Sequence, residues 1–190
     1  HESLSRYCHV VTGHEVLSVE RKEDETGEKK RENKVVSARG IKDGQILQFE
    51  GEEILLAAGR RSNSDRLHPE RTGVEIDRQG WIRVDEYLQT SKKGIWALGD
   101  AIGKHMFRHT ANYEARIVAH NILLAEKEAE RKAADYHAVP YAVFSHPTVA
   151  GVGRKESEAK ARGLKVLVGR ARYTDSAKGV AMAEEYGLAK

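Results

Sequence analysis

The stretch Thr90-Ser91-Lys92-Lys93-Gly94-Ile95-Trp96-Ala97-Leu98-Gly99-Asp100-Ala101 holds the residue types best placed for ligand chemistry. Ile95 to Leu98 is a short apolar run between glycines, the form of a strand buried on both faces of a parallel sheet. Ligands of such sheets bind beyond the carboxyl ends of the strands. Gly99 removes the side chain where a ligand must come close. Asp100 then sets a carboxylate at the strand end, where it can accept hydrogen bonds from sugar-type hydroxyls. Downstream, Thr110 is expected to cap a helix whose N-terminal amides favour carbonyls or anions. A lone Gly-Asp is a common turn, so the signal lies in the whole string.

Other reactive residues are less telling. Glu53-Ile54-Leu55-Leu56-Ala57-Ala58-Gly59 is a second apolar run that stops at a glycine, and it predicts another doubly buried strand. Gly59 can approach a ligand or serve only as a strand end. Arg60 and Arg61 read most simply as surface charge. The sequence has a single cysteine, Cys8. That excludes an internal disulfide framework and a paired-thiol redox motif, and Cys8 reads as an ordinary small side chain. No metal site is read from the sequence.

These residues need elements to hold them. Residues 15–20, 35–38 and 45–49 read as strands of an antiparallel meander, with a turn at Lys42-Asp43-Gly44. The mixed-sign run over 21–34 reads as a solvated hairpin tip, since its charges nearly cancel and Gly27 supplies a turn. Residues 73–77 and 80–84 form a small strand pair around Arg78-Gln79-Gly80. From Thr110, the residues Ala111, Ala115, Val118, Ala119, Ile122 and Leu123 mark one apolar helix stripe. A new unit starts near Pro140, with strands at 141–144, 148–153 and 164–169 and a helix over 156–162 closed by Gly163.

Composition bounds the rest. The 190 residues suit one or two domains, with 39% hydrophobic and 32% charged residues. The net charge of +3 is a small difference between 32 basic and 29 acidic residues, and no basic strip gathers it. A nucleic-acid partner is therefore not expected. No run reaches the length of a membrane span, and Glu2-Ser3-Leu4-Ser5-Arg6 opens no apolar leader. A cytoplasmic protein is expected.

The string over 90–101 resembles the second FAD signature of the pyridine nucleotide–disulfide oxidoreductases, in which the aspartate binds the ribityl chain of the flavin. Met106-Phe107-Arg108-His109 is similar to the Met-Leu-Ala-His stretch that lines the flavin in the dihydrolipoamide dehydrogenases of that family, although Phe107 and Arg108 depart from it. Ile54 to Asn63 resembles the Ala-Thr-Gly-Arg-x-Pro-Asn end of the family's nicotinamide domain. Ala58 and Ser62 replace the usual threonine and proline. The segment from Val143 to Glu156 resembles the opening of the dimerisation domain. The resemblance covers almost the whole chain, more weakly over its first fifty residues.

The resemblance implies an α/β fold: part of a doubly wound FAD/NAD(P)-binding fold followed by part of an α+β dimerisation domain. Residues 1–62 would be the back half of the NAD(P)-binding domain, 63–130 the second FAD segment, and 131–190 a linker and the first half of the dimerisation domain. The cofactors implied are FAD and NAD or NADP. Gly59, Gly99, Asp100, Ala101, Met106, Phe107, Arg108 and His109 are the expected cofactor-binding residues. The implied reaction moves hydride between NAD(P)H and a small-molecule or lipoyl-type disulfide, most like dihydrolipoamide dehydrogenase. Mercuric, glutathione and mycothione reductases are alternatives within the family, and a non-catalytic dimerising piece is an alternative outside it. A homodimer is expected. His146-Pro147-Thr148 looks like the family's catalytic His-Pro, but that motif belongs near the far end of the dimerisation domain, and His146 is near its start. No catalytic residue is therefore assigned. The redox cysteine pair and the catalytic histidine and glutamate are expected outside these residues, so the chain alone is expected to be inactive as a disulfide reductase.

Overall fold

The computed structural model describes residues 2–22 and 33–190, so the expected hairpin tip falls mostly outside the described residues. The chain divides into two units, His1–Gly59 and Arg60–Lys190. In the first unit, strands β1 (His14–Lys22), β2 (Asn33–Gly40) and β3 (Ile46–Gly51) pair antiparallel in the order β1-β2-β3. This is the expected meander. The register of β1 on β2 shifts between Val16 and Ser18, a bulge that leaves Leu17 unpaired. The β2–β3 turn closes where Gly40 N–H donates to Gln45 O at 2.8 Å, and Gly44 takes the left-handed φ of 71° that the turn needs. Cross-strand ion pairs Arg39–Glu15 at 3.1 Å and Lys22–Glu50 at 2.8 Å are solvent-exposed and add little stability.

The expected strand over 53–59 does not form. These residues are outside any strand, and Leu55 and Leu56 are 92% and 83% exposed. A doubly buried strand needs a hydrogen-bonded neighbour on each side, and no described segment pairs with this one.

In the second unit the core consists of Leu88, Ala97, Ile102, Ile117 and Val118. After the short helix α1 (Pro69–Thr72), two tight turns are each built on one aspartate. Asp77 Oδ1 accepts from Gln79 N–H at 2.8 Å and Trp81 N–H at 2.9 Å; Asp85 Oδ1 accepts from Tyr87 and Gln89 N–H, both at 2.9 Å. The expected strand pair around Arg78-Gln79-Gly80 is a hairpin with one bridge, Ile76 to Ile82. Residues 95–98 do not enter a parallel sheet as expected. They run extended, with a single antiparallel bridge from Trp96 to Gln89, and every sheet among the described residues is antiparallel.

Helix α2 (Arg108–Leu123) starts two residues before the expected cap, with Phe107 at the N-cap. Thr110 is inside the helix and buried. Its buried face is not the expected alanine-rich stripe either. It is Thr110, Glu114, Ile117, Val118 and Asn121, whereas Ile122 and Leu123 are exposed. The two stripes share only Val118. Two of its three polar members, Glu114 and Asn121, find hydrogen-bond partners. Asn121 Nδ2 donates to Tyr87 O and Lys132 O, both at 3.0 Å, and its Oδ1 accepts Lys132 N–H at 2.8 Å. These bonds lay residues 131–136 along the helix as an extended strap, joined by Ala134 N–H to Glu86 O at 2.7 Å.

Beyond the strap, β4 (Tyr141–Val143) and β5 (Val149–Gly151) pair antiparallel, and α3 (Glu156–Ala161) ends at Gly163, whose φ of 70° makes it the expected C′ glycine. The expected strand over 164–169 has no partner strand among the described residues, and Leu167 is 98% exposed. The short strands β6 (Ala171–Arg172) and β7 (Leu188–Ala189) pair antiparallel around α4 (Ala177–Ala181). Glu156, hydrogen-bonded by Lys160 and Lys190, has its carboxyl held down to about 2. No helix among the described residues is long and apolar enough to cross a membrane.

Candidate functional site

The Gly99–Asp100 step is a tight turn whose backbone favours glycine at its first residue. Gly99 has φ 65°, opens a 3-10 turn over Gly99–Ile102, and is buried. A Cβ placed on it would lie 3.2 Å from the Ala111 Cβ of α2. Gly99→Ala combines that crowding with a left-handed backbone. It is expected to cost roughly 1–3 kcal/mol, read as a lower denaturant midpoint at unchanged slope.

The turn throws Asp100 outward, with its side chain 61% exposed. Arg60 meets it: one guanidinium nitrogen, Nη1, donates to Asp100 Oδ2 at 3.4 Å and to Met106 O at 2.9 Å. Arg60 thus clasps both ends of the loop that leads from the turn to α2. A cavity of about 590 Å³ opens here, lined among others by Arg60, Asn63, Trp81, Asp100, Ala101 and Met106. The hairpin wall of the site is tied to the turn by Ile82 N–H to Ala101 O at 3.0 Å.

The remaining expected residues lie on the approach to α2. Phe107 stacks on His109 with ring centroids 5.5 Å apart and planes 13° from parallel. His109 Nε2 is 2.8 Å from Pro140 O, and Arg108 Nε donates to Asn112 Oδ1 at 3.4 Å. Arg108 and His109 are exposed; Met106 and Phe107 are half-buried. Gly59 closes the first unit, with φ 95° and open space where a Cβ would point.

Below the turn the second layer is polar. Glu114 of α2 is fully buried; its Oε2 accepts Gly99 N–H at 2.5 Å and its Oε1 accepts the Tyr136 hydroxyl at 2.8 Å. Burial and the neighbouring Glu114 push the Tyr136 hydroxyl well above the usual tyrosine range, so it stays a proton donor. The Thr110 hydroxyl is buried without a partner among the described residues. Sequence reasoning missed Arg60, Glu114 and Tyr136. Arg60 passed for surface charge. Glu114 carried a signal that was overlooked, its four-residue spacing from Thr110 and three-residue spacing from Ile117 on one helix face.

The turn can do a definite job. It offers an exposed, singly paired carboxylate at the rim of a cavity, with no side chain on the preceding residue. That suits a ligand rich in hydroxyls. No group of His, Cys, Asp and Glu among the described residues is arranged to hold a metal ion.

Comparison with known proteins shows the family of the chain. A family model described as "Pyridine nucleotide-disulphide oxidoreductase" matches residues 6–115, and the dimerisation domain of the same family matches residues 139–190. The mycothione reductase of Mycobacterium tuberculosis is 41% identical over 138 residues, which are 72% of this chain and 30% of the relative. The dihydrolipoyl dehydrogenase of Bacillus subtilis is 33% identical over 165 residues, 80% of this chain and 34% of the relative. Among solved structures, the HOCl-induced flavoprotein disulfide reductase RclA of Escherichia coli matches with a TM-score of 0.66 and 28% identity, covering 80% of this chain and 34% of that one. The chain therefore spans about a third of the length of these relatives, and within that span it belongs to the pyridine nucleotide-disulphide oxidoreductase family, with an FAD/NAD-binding part followed by a dimerisation part.

Proposed function

We propose that these residues are part of an FAD-dependent oxidoreductase that moves hydride between NAD(P)H and a disulfide–dithiol pair. FAD and NAD(P)H are the cofactors of the family. The observation that carries the reading is the Gly99–Asp100 turn, which sets an exposed carboxylate at the rim of the cavity. The residues fit a flavin's sugar-like chain. Asp100 keeps acceptor positions that Arg60 does not use, and Gly99 clears the approach. FAD, when bound, supplies the relay of electrons between nicotinamide and disulfide. The chain's own residues bind and orient: Asp100 accepts ribityl hydroxyls, Arg60 fixes the carboxylate, and Met106 to His109 line the ring.

In this reading residues 1–62 belong to the NAD(P)-binding domain, 63–130 to the second FAD segment and 131–190 to a linker and the start of the dimerisation domain. A homodimer through that last part, and a cytoplasmic setting with its supply of NAD(P)H, go with it. The substrate most in keeping with the Met106–His109 stretch is a lipoyl-type disulfide, as for a dihydrolipoyl dehydrogenase. The 41% identity to mycothione reductase favours a second reading, the disulfide of a low-molecular-weight thiol.

The test is the absorption spectrum of the purified full-length protein. Flavin bands that remain after gel filtration are the expected result. A colourless dimer that takes up no added FAD would overturn the reading and leave a non-catalytic association module.

A further inference from the structure

We propose that Glu114 and Tyr136 are positioning residues that hold the Asp100 turn and its loop in a ligand-ready shape. The inference rests on the reading of Asp100 as the flavin's anchor.

Glu114 has no exposed surface. A carboxylate buried this deeply is costly unless its oxygens are satisfied, and here each has one donor. Oε2 takes the Gly99 amide at 2.5 Å and Oε1 takes the Tyr136 hydroxyl at 2.8 Å. The Gly99 amide belongs to the residue just before Asp100. The carboxylate therefore fixes the backbone from which the anchor springs. The helix packing does not need a charge here. Its neighbours on the buried face include Ile117 and Val118, and an apolar side chain of similar size would pack among them. What a leucine would lack is the hold on Gly99.

Tyr136 extends the hold to the rest of the loop. Lys104 Nζ sits 3.9 Å from the centre of its ring, and the His105 ring centroid is 5.0 Å away. Both residues lie between Asp100 and Met106. The ring itself is delivered by the strap, which Asn121 pins to α2 through Lys132. One buried carboxylate and one tyrosine thus tie down the turn and the loop that follows it. Arg60 clasps the same loop from the solvent side.

The test uses the full-length protein with Glu114→Gln, Tyr136→Phe and Asp100→Ala, singly and combined. Glu114→Gln keeps the shape but removes the charge, and Tyr136→Phe removes only a hydroxyl. Each is expected to weaken FAD binding about tenfold, the scale of one lost hydrogen bond to a charged group. In the Asp100→Ala background the same changes are expected to have little further effect, since coupled residues do not add. Equal losses in both backgrounds would mean a merely structural role and would overturn the inference, as would unchanged affinity. A second readout needs no flavin: backbone hydrogen exchange over residues 98–101 is expected to quicken in Glu114→Gln and Tyr136→Phe. If Asp100→Ala leaves FAD affinity unchanged, the anchor reading fails. Exchange then decides alone: faster exchange supports the hold on the turn, and unchanged exchange overturns it. Should Glu114→Gln not fold, Tyr136→Phe carries both readouts.

Discussion

Asp100→Ala is expected to lower FAD affinity on the order of 100-fold in the full-length protein. A carboxylate that accepts two ribityl hydroxyls makes two charge-assisted hydrogen bonds, each contributing roughly 1.5–3 kcal/mol. The sum, about 3–6 kcal/mol, exceeds the net effect, because the free carboxylate is well solvated. Its side chain is 61% exposed, and Arg60 at 3.4 Å is its one charged partner among the described residues. Ligand binding removes that water, which offsets part of the gain, so a value of about 3 kcal/mol, or roughly 100-fold, is the reasonable expectation. Asp100→Asn keeps an acceptor oxygen and should lose less. The alanine also frees Arg60, which retains its bond to Met106 O, so the loop is expected to keep its path. The measurement is the flavin-to-protein ratio after dialysis, with affinity taken from flavin fluorescence. A normal ratio in Asp100→Ala would show that the turn is a structural feature and the anchor lies elsewhere.

Much of this site was legible in the sequence, for a reason that can be named. The Gly-Asp step combines a backbone demand with a chemical one, and few residues satisfy both. Gly99 has the positive φ that favours glycine, and its neighbour Ala111 would crowd a Cβ. The meander of β1 to β3 was legible too, since turn residues at Lys42-Asp43-Gly44 and alternating strands are local signals. The parallel sheet was not legible in the same sense. An apolar run such as 53–59 or 95–98 states only that the segment wants burial, and what buries it is a partner strand. Among the described residues no partner comes to 53–59, and 95–98 finds only the bridge at Gln89. The helix stripe failed for another reason. Counting only apolar residues put Ala115, Ala119 and Ile122 inside, but alanine buries little area and so carries little weight in choosing a face. Glu114 and Asn121, discounted as polar, are the buried pair because each arrives with its hydrogen bonds complete. Neither partner set is local: Tyr136 and Lys132 come from the strap, and Tyr87 from the turn built on Asp85.

The 190-residue chain by itself is expected to show no disulfide reductase turnover. Thiol–disulfide exchange needs a thiolate that attacks and a second thiol that resolves the mixed disulfide, so two thiols in one site are the minimum. The sequence holds Cys8 and no other cysteine. Cys8 is exposed and lies in the first unit, where its Sγ is 3.5 Å from Leu4 O. An acid–base group beside the leaving thiol is also required. His146 is the residue whose motif invites that role. Its side chain is 68% exposed and its Nε2 lies 4.0 Å from Glu184 Oε2, so it has a carboxylate partner but no thiol in its own unit. A His–Glu pair without a sulfur can move a proton, yet it has no electrons to deliver to a disulfide. Flavin alone does not repair this, because hydride accepted by FAD still needs a dithiol to leave through. The assay incubates the purified chain with FAD, NADH or NADPH, and either lipoamide or glutathione disulfide, and follows nicotinamide absorbance against a heat-killed control. The expected trace is flat in every combination. Oxidation that depends on both FAD and the disulfide would sink the idea, and would mean that a single exposed thiol and the His146–Glu184 pair suffice for the exchange.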